Sequence, residues 1–236
     1  MKKLAILGLM ALAGAAHADE LYNNGPVVNG SGRSVLMPPA TTLGFGDQTS
    51  TGNSVAEDFT VTGTGWTISG IDFFGYQTGA TSFGFQDVTW SIVSGDVNIG
   101  TVVASGVTAV TDGGLVGYRV TPTTRRNRDR GIYDIKADID DVMLGAGTYW
   151  LTWSLTGSSS FSGPWQPPTS DGRTGNAQQS VAGADFGTLV DAGSGLTVEL
   201  PFVLNGSVTA VPEPATVLSM AAGLALLVAT RRRRKA

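Results

Sequence analysis

From residue 57 to residue 208 one pattern recurs: short runs rich in Val, Ile, Thr and aromatic side chains, each closed by a glycine-rich turn. Branched and aromatic side chains favour a pleated, half-buried surface, and glycine punctuates it, so the pattern restricts the chain to β-structure. Eight strands are expected, over residues 57–62, 66–76, 85–94, 101–110, 118–124, 132–139, 148–155 and 196–208. Val88, Trp90, Ile92 and Ser94 alternate with polar residues, as do Tyr149, Leu151 and Trp153. In the second strand Trp66, Ile68 and Gly70 share one face and Ile71, Phe73 and Gly75 the other, which predicts a bulge near Ser69-Gly70. Helix signals reduce to one candidate turn over residues 137–144, before Gly145-Ala146-Gly147. Many short strands need two apolar faces brought together, so the expected architecture is all-β, a single antiparallel β-sandwich of jelly-roll type.

Two stretches break the pattern. Residues 19–55 carry the turn and breaker signals Asn23-Asn24-Gly25-Pro26, Asn29-Gly30-Ser31-Gly32 and Met37-Pro38-Pro39, and are expected to form an irregular N-terminal segment before the sandwich at residues 56–210. Residues 161–179, with Gly163-Pro164-Trp165-Gln166-Pro167-Pro168, are expected to form a long loop.

Both ends of the chain carry a different chemistry. Residues 215–230 contain no charge, and as a helix these 16 residues would reach roughly 24 Å, slightly less than a hydrocarbon core of roughly 30 Å. Arg231, Arg232, Arg233, Arg234 and Lys235 follow at once and would hold that end in the cytoplasm as a stop-transfer cluster. Pro212 and Pro214 keep the preceding Val211-Pro212-Glu213-Pro214 extended. At the other end Lys2-Lys3, an apolar stretch over residues 4–16 and the small residues Ala16 and Ala18 read as a signal peptide spanning residues 1–18. Cleavage there makes Asp19 the first mature residue and removes His17, the only histidine. A transmembrane helix over residues 215–230 and an exported body between the two ends are thus expected.

The C-terminal arrangement resembles the PEP-CTERM sorting signal of exopolysaccharide-producing Gram-negative bacteria. Pro212-Glu213-Pro214, the apolar span 215–230 and the cluster Arg231 to Lys235 carry that likeness, which places the signal at residues 211–236. The resemblance implies recognition by an exosortase, an integral membrane cysteine protease that removes the helix and passes the body to the cell surface or extracellular matrix. Signal peptidase and exosortase are then the processing partners, and the precursor sits in the inner membrane. Glu57-Asp58-Phe59-Thr60-Val61, Ile71-Asp72-Phe73-Phe74-Gly75-Tyr76-Gln77, Gly147-Thr148-Tyr149-Trp150-Leu151 and Leu200-Pro201-Phe202-Val203-Leu204-Asn205-Gly206 resemble ectodomains found ahead of the same signal. For these the resemblance implies a jelly-roll β-sandwich and no catalytic activity.

Composition closes off several functions. Residues 19–210 hold 8 Lys and Arg against 18 Asp and Glu, a net charge of −10 that the two basic ends mask in the whole-chain value of −4. Such a body is poorly suited to nucleic acid or anionic lipid. With 0 cysteines, and the histidine lost with the signal peptide, thiol nucleophiles, imidazole metal sites and serine–histidine triads are excluded.

The residues left for chemistry are few. Asp134, Asp138, Asp140 and Asp141 offer oxygen ligands for calcium, although the glycine and distal glutamate of a helix-loop-helix calcium loop are missing. In a strand Asp138 and Asp140 face the same side, which equally describes a solvated acidic edge. Arg125-Arg126-Asn127-Arg128-Asp129-Arg130 is expected to be a charged hairpin tip able to meet anionic polysaccharide. Trp165, between prolines, is the candidate sugar-stacking ring. Glu20, Glu57 and Glu199 are the mature body's glutamates, and the sequence gives no reason to pair two of them for glycoside hydrolysis. The expected role is therefore non-enzymatic: structural or adhesive in an exopolysaccharide or biofilm matrix. A carbohydrate-binding module is the alternative, and a glycoside hydrolase ranks last.

Overall fold

A computed structural model describes residues 18–209. Residues 1–17 of the expected signal peptide, the sorting motif Val211–Pro214, the apolar span 215–230 and the cluster Arg231–Lys235 lie outside the described residues. Among those described no helix is long and apolar enough to cross a membrane.

The described chain is all-β. Its strands are β1 (Asp19–Asn23), β2 (Arg33–Val35), β3 (Phe45–Gly46), β4 (Ser54–Val61), β5 (Trp66–Thr78), β6 (Asp87–Ser94), β7 (Thr101–Val120), β8 (Gly131–Leu144), β9 (Gly147–Thr156), β10 (Ser162–Gln166), β11 (Gln178–Ser180), β12 (Gly187–Thr188) and β13 (Phe202–Val208). They follow one hydrogen-bonded path, β1-β13-β5-β8-β7-β6-β9-β4-β11-β12, with β2, β3 and β10 as side branches. Pairing is antiparallel except between β2 and β7. The two sheets expected of a sandwich are here one continuous curled sheet, because β7 is 20 residues long and serves both halves. Its residues 101–109 pair with β6 and its residues 110–118 with β8. The segment between the expected strands 101–110 and 118–124 is therefore strand too, bent by register shifts at Asp112/Gly114 and Leu115/Gly117.

The curl presses the two halves together through aromatic rings. Trp153 of β9 lies 5.6 Å from Phe73 of β5 and 6.0 Å from Phe202 of β13, ring centre to ring centre. Phe59 of β4 meets Phe202 at 6.3 Å in an edge-on geometry. Ile68, Ile71, Leu151, Leu155 and Leu200 fill the remaining space and are fully buried. Each such side chain contributes about 1.5–3 kcal/mol on leaving water. This interior explains why a body without cysteine holds together.

The bulge expected in β5 is present. Against β13 consecutive residues Gly206 and Asn205 pair with Ile68 and Gly70, so Ser69 is the extra residue there, while against β8 the same step runs from Val142 to Asp138 and residues 139–141 bulge as well. The insertion restores phase, and Trp66 and Ile68 before it, with Ile71 and Phe73 after it, all point into the core. The helical turn expected over residues 137–144 is instead the end of β8. Ile135, Ala137 and Ile139 alternate inward against exposed Lys136, Asp138 and Asp140, a period of two that no helix can satisfy. Residues 19–55 hold β1, β2 and β3, and β4 already begins at Ser54.

Candidate functional site

The alternation of β4 turns Val55, Glu57, Phe59 and Val61 inward, so one carboxyl occupies a core-facing position. Glu57 is 0% exposed. Its Oε2 accepts the Leu200 N–H at 2.8 Å and its Oε1 the Asp58 N–H at 3.2 Å. Its side chain is also hydrogen-bonded to that of Glu199. Asn24 Nδ2 donates to Glu199 Oε2 and to the Leu200 carbonyl, both at 2.9 Å, and the Tyr22 hydroxyl donates to Asn24 Oδ1 at 2.8 Å. Gly175 lies against this group, and a Cβ there would force the Glu199 carboxylate to move.

Electrostatics follow from the burial. Desolvation, then the neighbouring Glu199, push Glu57 up to about 9, so it keeps its proton at neutral pH. Desolvation and the carboxylates of Asp58 and Glu199 push Tyr22 up to about 12. The arrangement is a neutral acid hydrogen-bonded to a partly exposed carboxylate. Glycoside hydrolysis needs the two carboxyls separated by about 5–5.5 Å or 6.5–9.5 Å, with a sugar between them. Glu57 is sealed in the core with its oxygens on backbone N–H groups, so it is not the solvent-reachable member of such a pair.

Two concavities lie on the same body. A cleft of about 210 Å³ runs between Met37, Pro39, Pro168, Arg173, Leu196 and Val198. Its wall is pinned by two buried charges. Arg119 donates to the Leu43 carbonyl at 2.7 Å, the Thr42 carbonyl at 3.0 Å and Ser34 Oγ at 3.0 Å. Asp191 accepts the backbone N–H groups of Thr42 and Ser194 at 2.8 Å, with those of Thr41 and Gly193 close by. Desolvation would raise the Asp191 carboxyl, but the N–H groups of Ser194, Thr42 and Thr41 outweigh it and hold it at about 2. These charges are spent on tying loops together. The second concavity, about 380 Å³, opens over the outer side of β6 and β9 and is lined by Asn53, Thr89, Ser91, Thr152 and Ser154, with Phe186 at one side. No charged side chain lines it. Ser91 and Thr152 hydroxyls meet across the strands at 2.7 Å.

The residues singled out in the sequence are dispersed. Trp165 lies on β10 rather than in a loop, paired with Tyr76 of β5 and Gly46 of β3, and packs half-buried on the cluster of Val27, Tyr76 and Ile132. Asp134, Asp138 and Asp140 alternate along the outer side of β8, with Asp141 exposed beside them. Asp134 is engaged by Lys136 at 3.0 Å, which also binds Asp72 at 2.9 Å. Among the described residues no group of three or more His, Asp or Glu is gathered as a metal would need. Arg125 to Arg130 do form the connection between β7 and β8, where Arg128 and Arg33 flank the Tyr118 ring at 5.6 and 5.7 Å. Ala18 is exposed and Asp19 opens β1, while Ala16 falls outside the described residues. Glu57 was the residue to find: it stands in phase with Val55, Phe59 and Val61, where alternation demands an apolar side chain.

No curated protein and no solved structure matches this chain. Residues 210–234 match the PEP-CTERM protein-sorting motif, covering Val211–Pro214, the apolar span and the arginine cluster. That motif implies an exported protein processed by exosortase. The chain thus carries a PEP-CTERM protein-sorting motif at residues 210–234.

Proposed function

We propose that the body is displayed at the cell surface or in the extracellular matrix, where it has a non-catalytic, structural or adhesive role among exopolysaccharide chains. The match of residues 210–234 to the sorting motif carries this reading. Val211 to Pro214 present an extended peptide to exosortase, residues 215–230 hold the precursor at the inner membrane as a helix, and Arg231 to Lys235 stop transfer. The body then folds outside as a curled all-β unit whose net charge of −10 keeps it soluble among neutral or acidic glycans.

A second reading, binding of an uncharged glycan segment, is favoured by the hydroxyl- and amide-lined groove over β6 and β9. Sugar hydroxyls both donate and accept, as do Ser91, Thr152 and Thr89. Replacing Pro212-Glu213-Pro214 by alanines separates sorting from the rest: mass spectrometry of the cell-bound and released protein should find an unprocessed, membrane-retained chain. Unchanged termini in the variant refute recognition of that tripeptide. Glycan binding is tested by Thr152→Ala beside Trp165→Ala in titrations with defined polysaccharides. Loss at Thr152 alone places the site in the groove, and loss at Trp165 alone places it at β10.

A further inference from the structure

Among the margins of the curled sheet that are open to another strand, three are not alike. β1 begins with the acidic pair Asp19-Glu20, and β12 is only 2 residues long. Charge and shortness are the devices that blunt an edge. The third margin lies within β7. Residues 101–109 pair with β6 alone, because β8 takes its strand partners only from residue 110 onward. Among the described residues the edge of 101–109 that faces away from β6 has no strand against it.

This edge is long and without protection. From Val97 to Thr111 there is no charged residue and no proline. Val102 is 56% exposed and Val107 70% exposed, and Val103 and Ile99 are exposed as well. Residues 104–109 keep an unbroken register with β6, so six consecutive residues form a regular ladder. The strand is held straight from beneath by Trp90, whose ring lies against Gly106 and whose Nε1 donates to Thr108 at 2.9 Å. A Cβ at position 106 would stand 3.2 Å from that ring, so glycine lets the strand sit close and flat.

We propose that residues 101–109 of β7 pair antiparallel with the same residues of a second copy of this chain. Charge selects the partner's approach. Two bodies of net charge −10 repel over most of their surfaces, and this uncharged edge is where two copies can meet without opposing carboxylates. An antiparallel pairing about a two-fold axis is self-complementary, so each copy supplies the same backbone donors and acceptors that it needs. Backbone hydrogen bonds give the attachment, and Val103 and Val107 pack across the junction on the outward side. Such pairing closes after two copies and yields a dimer joined by a continuous sheet.

The chain's lack of cysteine makes the test direct. In the full-length protein, single cysteines are placed at Val103, Ser105, Val107 or Ala109, with Thr188→Cys on the β12 margin as the comparison. After oxidation with copper phenanthroline, non-reducing electrophoresis reads the disulfide dimer. Dimer from one β7 position at least about tenfold above the others and above Thr188→Cys is expected, since only the residue nearest the two-fold axis faces its own copy. Equal yields along β7, or yields no higher than at Thr188→Cys, overturn the proposal. Val103→Asp together with Val107→Asp, at solvent-facing positions, should lower the best yield about tenfold, because residue 103 faces residue 107 of the second copy and like charges then stand opposite each other. An unchanged yield in a variant with wild-type circular dichroism overturns it too.

Discussion

The outer side of β8 and the inner side of β4 both carry carboxyl groups, with opposite consequences. Asp138, Asp140 and Asp141 stand in solvent, and Asp134 shares Lys136 with Asp72. Glu57, one strand-face away from water, is sealed among apolar side chains and keeps its proton. The chemical group is nearly the same in both places. Its surroundings decide whether it is a charge that water screens or a neutral donor that fixes the core.

The largest test of this contrast is Glu57→Ala. It removes the acceptor of the Leu200 N–H, strands Glu199 and opens a hole, and should cost about 2–4 kcal/mol in denaturant unfolding. A cost under about 1 kcal/mol would mean that the buried carboxyl holds nothing.

The second test is pH. Glu57 titrates near 9 when folded against 4.5 ordinarily, so the folded chain keeps a proton that the unfolded chain releases. Its stabilisation is fully present below about 4.5 and is lost as pH rises toward 9. The fall is at most about 1.4 kcal/mol per pH unit from one such group. Asp47, fully buried and also raised by desolvation, acts in the same direction. Glu57→Gln should match the wild type near pH 4 and exceed it near pH 8, because the amide loses no proton. Parallel stability curves for the two proteins would break the argument.

On the β8 side the effects are smaller. Lys136→Ala leaves Asp72 and Asp134 facing each other and should cost about 1 kcal/mol, shrinking in high salt. Asp138→Asn and Asp140→Asn should change stability by less than about 0.5 kcal/mol. Millimolar calcium should leave the melting temperature of either variant and of the wild type alike. A rise in the wild type, abolished by either substitution, would make the outer aspartates a metal site and reverse the comparison.

Much of the fold was legible from local pattern. Alternation in β6 and β9 placed Trp90 and Trp153 in the core, and the phase change in β5 located the bulge at Ser69. The hairpin tip at Arg125 to Arg130 follows from charge between two β-runs. The errors share one cause, since each depended on partners distant in sequence. Thr111-Asp112-Gly113-Gly114 looks like a turn, yet β8 pairs with β7 on both sides of a bulge at Gly113 and carries the strand through it. The aspartates in residues 138–141 resemble a helical turn until β5 pairs with β8 on either side of them, at Asp138 and at Val142. Trp165 reads as an exposed loop ring until β3 and β5 close on either side.

The candidate site divides in the same way. The sorting motif is a linear signal, in which a Pro-Glu-Pro segment, an uncharged span and a cationic cluster follow in chain order, so the sequence determined it without any fold. The sequence also determined that the body is all-β and acidic, because side-chain alternation and charge are local properties. Only the tertiary structure decided that Glu57 meets Glu199, that β7 bridges both halves, and that its first half keeps an open edge. Those facts rest on contacts between residues up to 142 positions apart, and burial, which sets their energies, exists only after the chain has closed on itself.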